Sequence, residues 1–365
     1  MKIIYFYYLL LLLLPSFGIA SDLDSTNGSW NIQLRIDYGF IIAHRPQLEP
    51  LQEKHIKGFE ITLARVSDGN HDWQNIFNYP DFGITIACFD LGSPTHLGNG
   101  IAAYPFVDFP LGNKSKKGLH FRYGMGLGYI EKKFNSYDNF KNAAIGSHLN
   151  GVIHFDLHIE KKLSHRFGLE VGAGITHFSN GSFSIPNLGI NIATINLAIH
   201  HSFGKNSAVL RRQIPPVNKK PEIHIFAGGF LKKIIPPLGK TFFAFTLSAM
   251  RFKPINLKSA WGLGSDIFFD NSISERINSK EGKEATNINN FRAGIHGAYH
   301  LTVGKMGIMF NMGFYLYNAL KNDGNIYHRI CLRYYLKKTF ICLNLKTHFA
   351  RADFIELGYG FRLIK

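Results

Sequence analysis

Cysteine is scarce in this chain of 365 residues. Only Cys88, Cys331 and Cys342 are present, and no two of them form a C-x-x-C pair. A disulfide scaffold needs an even and dense set of cysteines, and a cysteine zinc site needs closely spaced ligand pairs. The sequence therefore argues against both as the basis of the fold.

Long apolar runs are missing after the first twenty residues. The opening MKIIYFYYLLLLLLPSFGIA places Lys2 before about a dozen apolar residues and ends on the small-residue pattern Gly18-Ile19-Ala20, which is typical of a secretory signal peptide. No later segment offers the roughly 18 consecutive apolar residues of a membrane helix. We expect residues 1–20 to be removed and chain 21–365 to be exported without a transmembrane helix.

Acidic residues are few, with 25 Asp and Glu against 41 Lys and Arg. The net charge of +16 favours an anionic partner. For an exported protein, acidic lipid headgroups or a phosphorylated glycolipid fit better than nucleic acid. Glycine and aromatic residues are plentiful instead, with 36 Gly, 32 Phe and 16 Tyr. This mixture is typical of glycine-relieved β-strands rather than of helices or disorder.

Apolar and polar residues alternate along several runs of about ten residues. In Val152–Glu160 the odd positions are apolar and the even positions are polar or charged, and Phe243–Met250 and Phe340–Phe349 alternate in the same way. A tilted strand needs about ten residues to cross a bilayer. Because lipid offers no partner to an open sheet edge, such strands must close on themselves. The pattern predicts an all-β, antiparallel transmembrane β-barrel.

The candidate strands predict a barrel of about 14–16 strands. They fall into residues 30–204 and 221–365, which the basic, proline-containing connector Lys205–Lys220 separates. One large barrel is favoured over two small ones, because a second barrel needs its own closure seam. A soluble periplasmic β-protein is the alternative, since the strands of a β-sandwich alternate too.

The strand predicted at His165–Ser179 places His177 and Ser179 on its apolar face. The odd positions before them are apolar and the even positions are small or polar, so both side chains are expected to face lipid. Asn191 belongs to the matching face of the next predicted strand, and antiparallel pairing can bring it beside His177. Polar groups on such a wall are costly unless they are partnered or lie at the interface.

These three residues supply the parts of nucleophilic acyl transfer. Ser179 offers a hydroxyl nucleophile, His177 an imidazole base and Asn191 a group that orients the base. The H-x-S spacing alone carries little information, because His200-His201-Ser202 repeats it. Because all three are expected to face lipid, a catalytic role is favoured over the alternative that they are ordinary polar residues at the end of a strand.

The stretch His177-Phe178-Ser179-Asn180, followed by Pro186-Asn187-x-Gly189-Ile190 and a polar residue at 191, resembles the active-site motif of the PagL-type lipid A 3-O-deacylases. The resemblance covers about residues 30–204 and is sharp across 176–191. It implies an outer-membrane β-barrel that hydrolyses an ester-linked acyl chain of lipid A, with Ser179 as nucleophile and His177 as general base. It also implies an oxyanion hole at Asn180 and Gly181, and lipid A or lipopolysaccharide of the outer leaflet as the substrate.

Two departures separate the chain from that family. The acidic member of the family's Ser/His/Glu triad falls on Asn191, which can accept a hydrogen bond from the imidazole but carries no charge to stabilise an imidazolium. The second half, residues 221–365, adds strands that the compact family barrel lacks. A non-enzymatic outer-membrane barrel, acting as a pore, an adhesion protein or a structural protein, is therefore the alternative function.

A pattern of metal-ligand residues also occurs at His154-x-Asp156-x-His158. Its parity places it on the lumen face, where a solvated polar network is the norm, so no metal site is predicted there. No cofactor and no nucleic-acid partner are expected either, and the oligomeric state is left open.

Overall fold

The computed structural model describes residues 29–112, 118–204, 210–211, 213–234, 240–281, 284–349 and 351–364. The predicted signal peptide, residues 1–20, lies outside the described residues, as does the first part of the Lys205–Lys220 connector. Within the described ranges, no helix has both the length and the apolar character needed to cross a membrane.

Sixteen β-strands make up most of the described chain. The first eight are β1 Ser29–Ile41, β2 Ile56–Arg65, β3 Asp81–Asp90, β4 Asn99–Pro110, β5 Leu119–Ile130, β6 Leu149–Lys162, β7 Phe167–Ser179 and β8 Ile190–Gly204. The other eight are β9 Glu222–Lys233, β10 Thr241–Pro254, β11 Ser259–Asp270, β12 Phe291–Val303, β13 Met306–Asn318, β14 Ile326–Tyr335, β15 Thr339–His348 and β16 Arg351–Ile364. Short helices occupy connections: α1 Asp72–Ile76, α2 Ser272–Glu281, and 3-10 helices at Pro46–Leu51, Asn287–Asn290 and Lys321–Asp323.

The strands form two closed antiparallel barrels of eight strands each, β1–β8 and β9–β16. In the first barrel, β1 pairs along its whole length with β8, from Ser29 opposite Gly204 to Ile41 opposite Ile192. In the second barrel, β16 closes onto β9. The all-β, antiparallel barrel class is confirmed, whereas the expectation of one large barrel was wrong.

Closure after eight strands has a physical reason in β8. This strand uses one edge for β7 and the other for β1, so it has no free edge for β9. An eight-stranded barrel is just wide enough for its own side chains to fill the interior. Alternation in a sequence predicts how many strands there are, but it does not predict which strands share an edge. The described chain divides accordingly into two compact units, with the short segment Gly181–Ile185 grouped with the second.

The two faces of the strands are chemically opposite. In β1, Arg35 is fully buried, whereas its neighbours Leu34 and Ile36 are 46% and 57% exposed. In β7 and β8, Ile175 and Ile195 are likewise exposed on the outer wall. An apolar outer wall around a polar interior is the pattern of an outer-membrane barrel, and it agrees with the faces predicted from the sequence.

Ion pairs fill the interior of the first barrel. Arg35 lies 3.2 Å from Asp156 and 3.4 Å from Glu170, and Arg122 donates to Asp108 at 2.8 Å. One cavity among these side chains measures about 20 Å³. That volume is about the room needed for one water molecule. The interior around these residues is a packed polar core.

The second barrel has a similar interior. Arg329 lies at its centre and pairs with Asp266 and Glu356, each at 2.8 Å. The side chains of all three residues are fully buried. Because an unpaired buried charge is strongly destabilising, the three residues depend on one another.

Asp353 shows how a local irregularity changes a face. Alternation along β16 places it on the outer wall, yet its carboxylate accepts a hydrogen bond from Lys346 at 2.7 Å and pairs with Lys232. The pairing register of β15 and β16 shifts between Lys346 and Thr347. Such a β-bulge adds a residue to one strand and re-aims its side chain, which turns Asp353 inward.

Four connections meet at the end of the first barrel where β7 ends. They are residues 42–55, 91–98, 131–148 and 180–189. Apolar side chains from the first three are fully buried in one cluster, namely Leu48, Leu51, Leu91, Leu97, Ala144 and Ile145. The Gly189 N–H joins the fourth connection to the third by donating to the Ala144 carbonyl at 3.0 Å. Loops that are usually mobile are here packed together.

Glu53 ties two of these connections to each other. It accepts hydrogen bonds from the Ser93 hydroxyl at 2.7 Å and the Thr95 hydroxyl at 2.8 Å. Slight burial raises the pKa of the Glu53 carboxyl, but the hydrogen bonds together lower it by more than burial raises it. The pKa therefore lies below its ordinary value. The ionised carboxylate therefore stabilises this end of the barrel.

Candidate active site

Three polar side chains lie together on the outer wall of the first barrel. His177 on β7 is directly opposite Asn191 on β8 in the antiparallel register. Ser179 is the last residue of β7 and lies opposite Gly151 on β6. His177 and Ser179 follow Ile175 on the outward parity of the strand. The structure thus brings His177 and Asn191 side by side, with Ser179 two residues away on the same face.

A hydrogen bond joins the histidine to the asparagine. The His177 Nδ1 and Asn191 Oδ1 atoms are 2.7 Å apart. Because an amide oxygen can only accept, this contact requires the proton on Nδ1 and leaves Nε2 as the basic nitrogen of the ring. That tautomer is the one in which a histidine can take a proton from a serine hydroxyl.

Ser179 stands roughly 7 Å from His177 between Cα atoms, which is the two-residue spacing of a strand. Among the described residues, the hydrogen bond of His177 engages only its Nδ1 atom, and the Ser179 hydroxyl is not joined to the ring. Catalytic hydrogen bonds are often long in the free enzyme and shorten when the substrate binds. The arrangement places a hydroxyl and an imidazole on one face, with the imidazole already oriented by Asn191.

A fourth residue, His44, contacts the same amide. It follows β1 in the connection 42–55, and its Nδ1 atom is 2.9 Å from Asn191 Nδ2. Two backbone hydrogen bonds hold it there: the Ile42 N–H donates to the Asn191 carbonyl at 2.8 Å, and the His44 N–H donates to the Ile42 carbonyl at 3.0 Å. The sequence gives no signal for His44, because 147 residues separate it from Asn191 and only barrel closure brings them together.

The turn after β7 has its own bracing. The Asn180 N–H donates to Asn187 Oδ1 at 3.0 Å, and Asn180 Nδ2 donates to Ser147 Oγ at 2.8 Å. Gly181, next along the chain, has a φ of +60°, which glycine adopts without steric cost. Asn187 therefore holds the shape of the turn, a role that the motif alone does not assign.

Gly189 makes room for the imidazole ring. Its φ is +80°, and a Cβ atom built on it would lie 2.7 Å from His177 Cε1. A separation that short is repulsive, and side-chain-bearing residues are strained at such a φ. Glycine is required here by both the backbone and the neighbouring ring.

An apolar groove of about 640 Å³ opens on the outer wall beside these residues. Ala193 and Ala173 line it, and their small side chains leave space between larger neighbours. Ala193 lies opposite Ile175. These two residues form the outward-facing pair of β7 and β8 that is next to the pair His177 and Asn191. The bulkier lining residues include Tyr38, Phe40, Phe121, Phe155, Leu157 and Ile195. A concave apolar surface next to polar groups is the usual form of a ligand site.

The metal-like pattern in β6 belongs to the interior network. His154 Nδ1 is 2.9 Å from Thr176 Oγ1, and His158 Nδ1 is 2.7 Å from Asp156 Oδ1. His158 also groups with Asp108 and His120, whose potential ligand atoms lie within 4.8 Å of one another. Arg122 already pairs with the Asp108 carboxylate, and a cation would have to compete with that guanidinium. We therefore treat the group as part of the charge network of the lumen.

The fold and the outer-wall residues define the class of lipid-facing barrels of the outer membrane. Two family models match the chain, one to each barrel. The model described as Lipid A 3-O-deacylase (PagL) matches residues 58–200, and the model described as Acyloxyacyl hydrolase, C-terminal domain, matches residues 221–365. The chain belongs to the PagL-type lipid A 3-O-deacylase family, whose members are lipid A-deacylating hydrolases of the outer membrane.

Solved barrel structures align with the chain at low identity. Neisserial surface protein A is 10% identical with a TM-score of 0.31, and the alignment covers 48% of this chain and 99% of that one. The KdgM porin is 6% identical with a TM-score of 0.20, over 91% of this chain and 98% of the porin. A triple mutant of Rhodopseudomonas blastica porin is 9% identical with a TM-score of 0.19, over 92% and 99%. No curated protein matches the sequence.

Proposed function

We propose that this protein is a serine esterase that removes an ester-linked acyl chain from lipid A, with Ser179 as nucleophile and His177 as general base. The observation that carries the proposal is the 2.7 Å hydrogen bond between His177 Nδ1 and Asn191 Oδ1 on the lipid-facing wall. It holds the imidazole in the tautomer with a basic Nε2, two residues from Ser179, which is the one serine of β7. Family membership supports the same substrate class.

The reaction follows the general course of acyl transfer. Ser179 Oγ attacks the ester carbonyl carbon while its proton passes to His177 Nε2. The ester C–O bond then breaks, and the imidazolium returns the proton to the departing sugar oxygen. Water then attacks the acyl carbon of the acyl-serine while His177 Nε2 takes its proton. The bond from the acyl carbon to Ser179 Oγ breaks, the imidazolium returns the proton to that oxygen, and the fatty acid is released.

The oxyanion of each tetrahedral intermediate is assigned to the backbone N–H groups of Asn180 and Gly181. Such donors act best when they are fixed before the reaction. The Asn180 N–H points to Asn187 Oδ1 in the free protein. The carbonyl oxygen of the substrate would replace that acceptor, while the contact of Asn180 Nδ2 with Ser147 keeps the turn in place.

Two further features support an acylated, anionic substrate. The apolar groove beside Ile175 and Ala193 can hold a hydrocarbon chain with its ester end toward His177. The net charge of +16 favours a phosphorylated glycolipid in the surrounding leaflet. Because the groove belongs to the lipid-facing wall, the acyl chain would enter it from the surrounding lipid by lateral movement within the leaflet.

The alternative of a pore is disfavoured by the interior of the first barrel. The ion pairs of Arg35 and Arg122 cross the lumen, and the cavity among them measures about 20 Å³. A water-filled passage would require these buried charges to separate, which is costly. Single-channel conductance in planar bilayers, without esterase activity, would support the pore instead.

The decisive experiment is digestion of lipid A by the purified full-length chain in detergent micelles, followed by mass spectrometry. We expect the mass of one acyl chain to be lost with the native protein and not with Ser179→Ala. Ser202→Ala is the matched control, because Ser202 has the same H-x-S spacing, and it should cleave normally. An unchanged spectrum with the native protein, or equal cleavage by Ser179→Ala, would overturn the proposal.

A further inference from the structure

We infer that His44 is a positioning residue of this active site: its ring fixes the orientation of the Asn191 amide and thereby the tautomer of His177. The inference rests on the proposed esterase function. It concerns a residue outside the motif, in a connection that precedes β2.

The need for such a residue arises from the chemistry of an amide. Both oxygens of a carboxylate can accept a hydrogen bond, so an acidic residue at this position works in either orientation. The amide of Asn191 has one acceptor and one donor end. If the donor end faced His177, Nδ1 would become the acceptor and the ring proton would move to Nε2. A histidine in that state cannot accept a proton from Ser179.

His44 distinguishes the two orientations. Its Nδ1 atom is 2.9 Å from Asn191 Nδ2, and an amide nitrogen can only donate. His44 therefore presents a lone pair to Asn191. In the reversed orientation, Asn191 Oδ1 would face that lone pair, and the contact would survive only if His44 moved its own ring proton from Nε2 to Nδ1.

The two contacts form one directed chain of hydrogen bonds. His177 Nδ1–H donates to Asn191 Oδ1, and Asn191 Nδ2–H donates to His44 Nδ1. The backbone bond from Ile42 N–H to the Asn191 carbonyl keeps His44 beside the amide. His44 is exposed to solvent, so its removal leaves no buried cavity.

The size of the effect is set by one hydrogen bond. Losing the preference that a single neutral hydrogen bond gives should lower the ratio of the active to the inactive tautomer roughly two- to tenfold. His44 does not line the apolar groove. We therefore expect His44→Ala to lower kcat by at most that factor and to leave KM unchanged.

A double-mutant cycle separates positioning from support of the fold. Deacylation of lipopolysaccharide in micelles is measured for the native chain, His44→Ala, Asn191→Asp and the double variant. Because the carboxylate introduced by Asn191→Asp has no wrong orientation, His44→Ala should lower kcat in the native background and have no effect in the Asn191→Asp background. Gln47→Ala, an exposed neighbour on the same connection, is the control and should behave as the native chain.

A second measurement reads the tautomer without any turnover. The 15N chemical shifts of histidine distinguish the Nδ1–H and Nε2–H forms, and the His177 signals are identified by their loss in His177→Gln. We expect the Nδ1–H form in the native chain and a shift toward Nε2–H in His44→Ala.

The outcomes separate the two proposals. Full activity of Ser179→Ala would overturn the esterase proposal, while the 15N shifts would still test the role of His44. If Ser179→Ala is inactive and His44→Ala equals the native chain, only the positioning role fails. An equal loss with His44→Ala in both backgrounds, or an unchanged His177 tautomer, would also overturn it.

Discussion

Asn191→Asp should raise kcat, although most substitutions in an active site lower it. The asparagine orients His177 through a 2.7 Å hydrogen bond but cannot stabilise the positive charge that the ring acquires when it takes the serine proton. An aspartate has nearly the same shape and can accept the same hydrogen bond. The perturbation therefore adds one negative charge to an existing geometry.

The magnitude can be worked from that contact. With Nδ1 and Oδ1 at 2.7 Å, the centres of the two charges would lie about 4 Å apart. At the effective dielectric constant of about 20 that applies near a protein surface, the attraction is about 4 kcal/mol. Desolvation of the new carboxylate on the apolar wall offsets part of it. A net gain of about 1–3 kcal/mol corresponds to an increase of roughly five- to 160-fold in kcat.

The assay compares initial rates of fatty-acid release from lipid A in micelles at saturating substrate. Asn191→Ala serves as the second variant, because it removes both the charge and the acceptor, and we expect it to be slower than the native chain. The reasoning is refuted if Asn191→Asp folds normally and is no faster than the native chain. In that event the imidazolium would be stabilised by a group other than residue 191.

Ala193→Phe should raise KM by about fourfold for each substrate methylene that it displaces, whereas Val171→Phe, on the same wall outside the groove, should not. Kinetics on esters of different chain length would show this, and equal effects of both variants would contradict the assigned groove. Gly189→Ala should lower kcat by roughly ten- to one hundredfold, because the new Cβ displaces the His177 ring, and an unchanged kcat with a normal melting temperature would contradict that contact. Glu53 has a folded-state pKa below its unfolded value, so its contribution to stability is present above about pH 4.3 and is lost as the pH falls through the folded pKa. Protection factors of residues 42–55, which are exchange rates corrected for the intrinsic rate at each pH, should therefore fall on acidification in the native chain and change less in Glu53→Gln. Identical pH profiles of the protection factors would count against this role.

Much of the site follows from the sequence because it depends on local rules. Side chains in a strand alternate between two faces, so the outward parity of His177 and Ser179 is fixed by the apolar residues before them. The hairpin β7–β8 then places Asn191 opposite His177, and the register is restricted because a shift by one residue would turn the apolar face of a strand inward. The contact between His177 and Asn191 could therefore be predicted from this hairpin alone.

Features that depend on distant pairing could not be predicted in this way. The number of barrels is decided by whether β8 meets β1 or another strand, and all strands carry the same alternation. His44 reaches Asn191 through the same closure. The inward side chain of Asp353 departs from the alternation of β16 for a different reason, because a one-residue bulge reverses the parity of the strand without changing its apolar pattern.

The seam between β1 and β8 also gives this protein a built-in order of assembly. His177 and Asn191 come together within a single hairpin, but His44 and the groove residues Tyr38 and Phe40 arrive only with the first strand, which must wait for the eighth. A chain inserted in the bilayer with that seam still open would hold a paired histidine and asparagine and lack both the third partner and one wall of the groove. Enzyme activity would then report the last step of barrel closure, and hydrolysis would begin only once the wall facing the lipid is continuous.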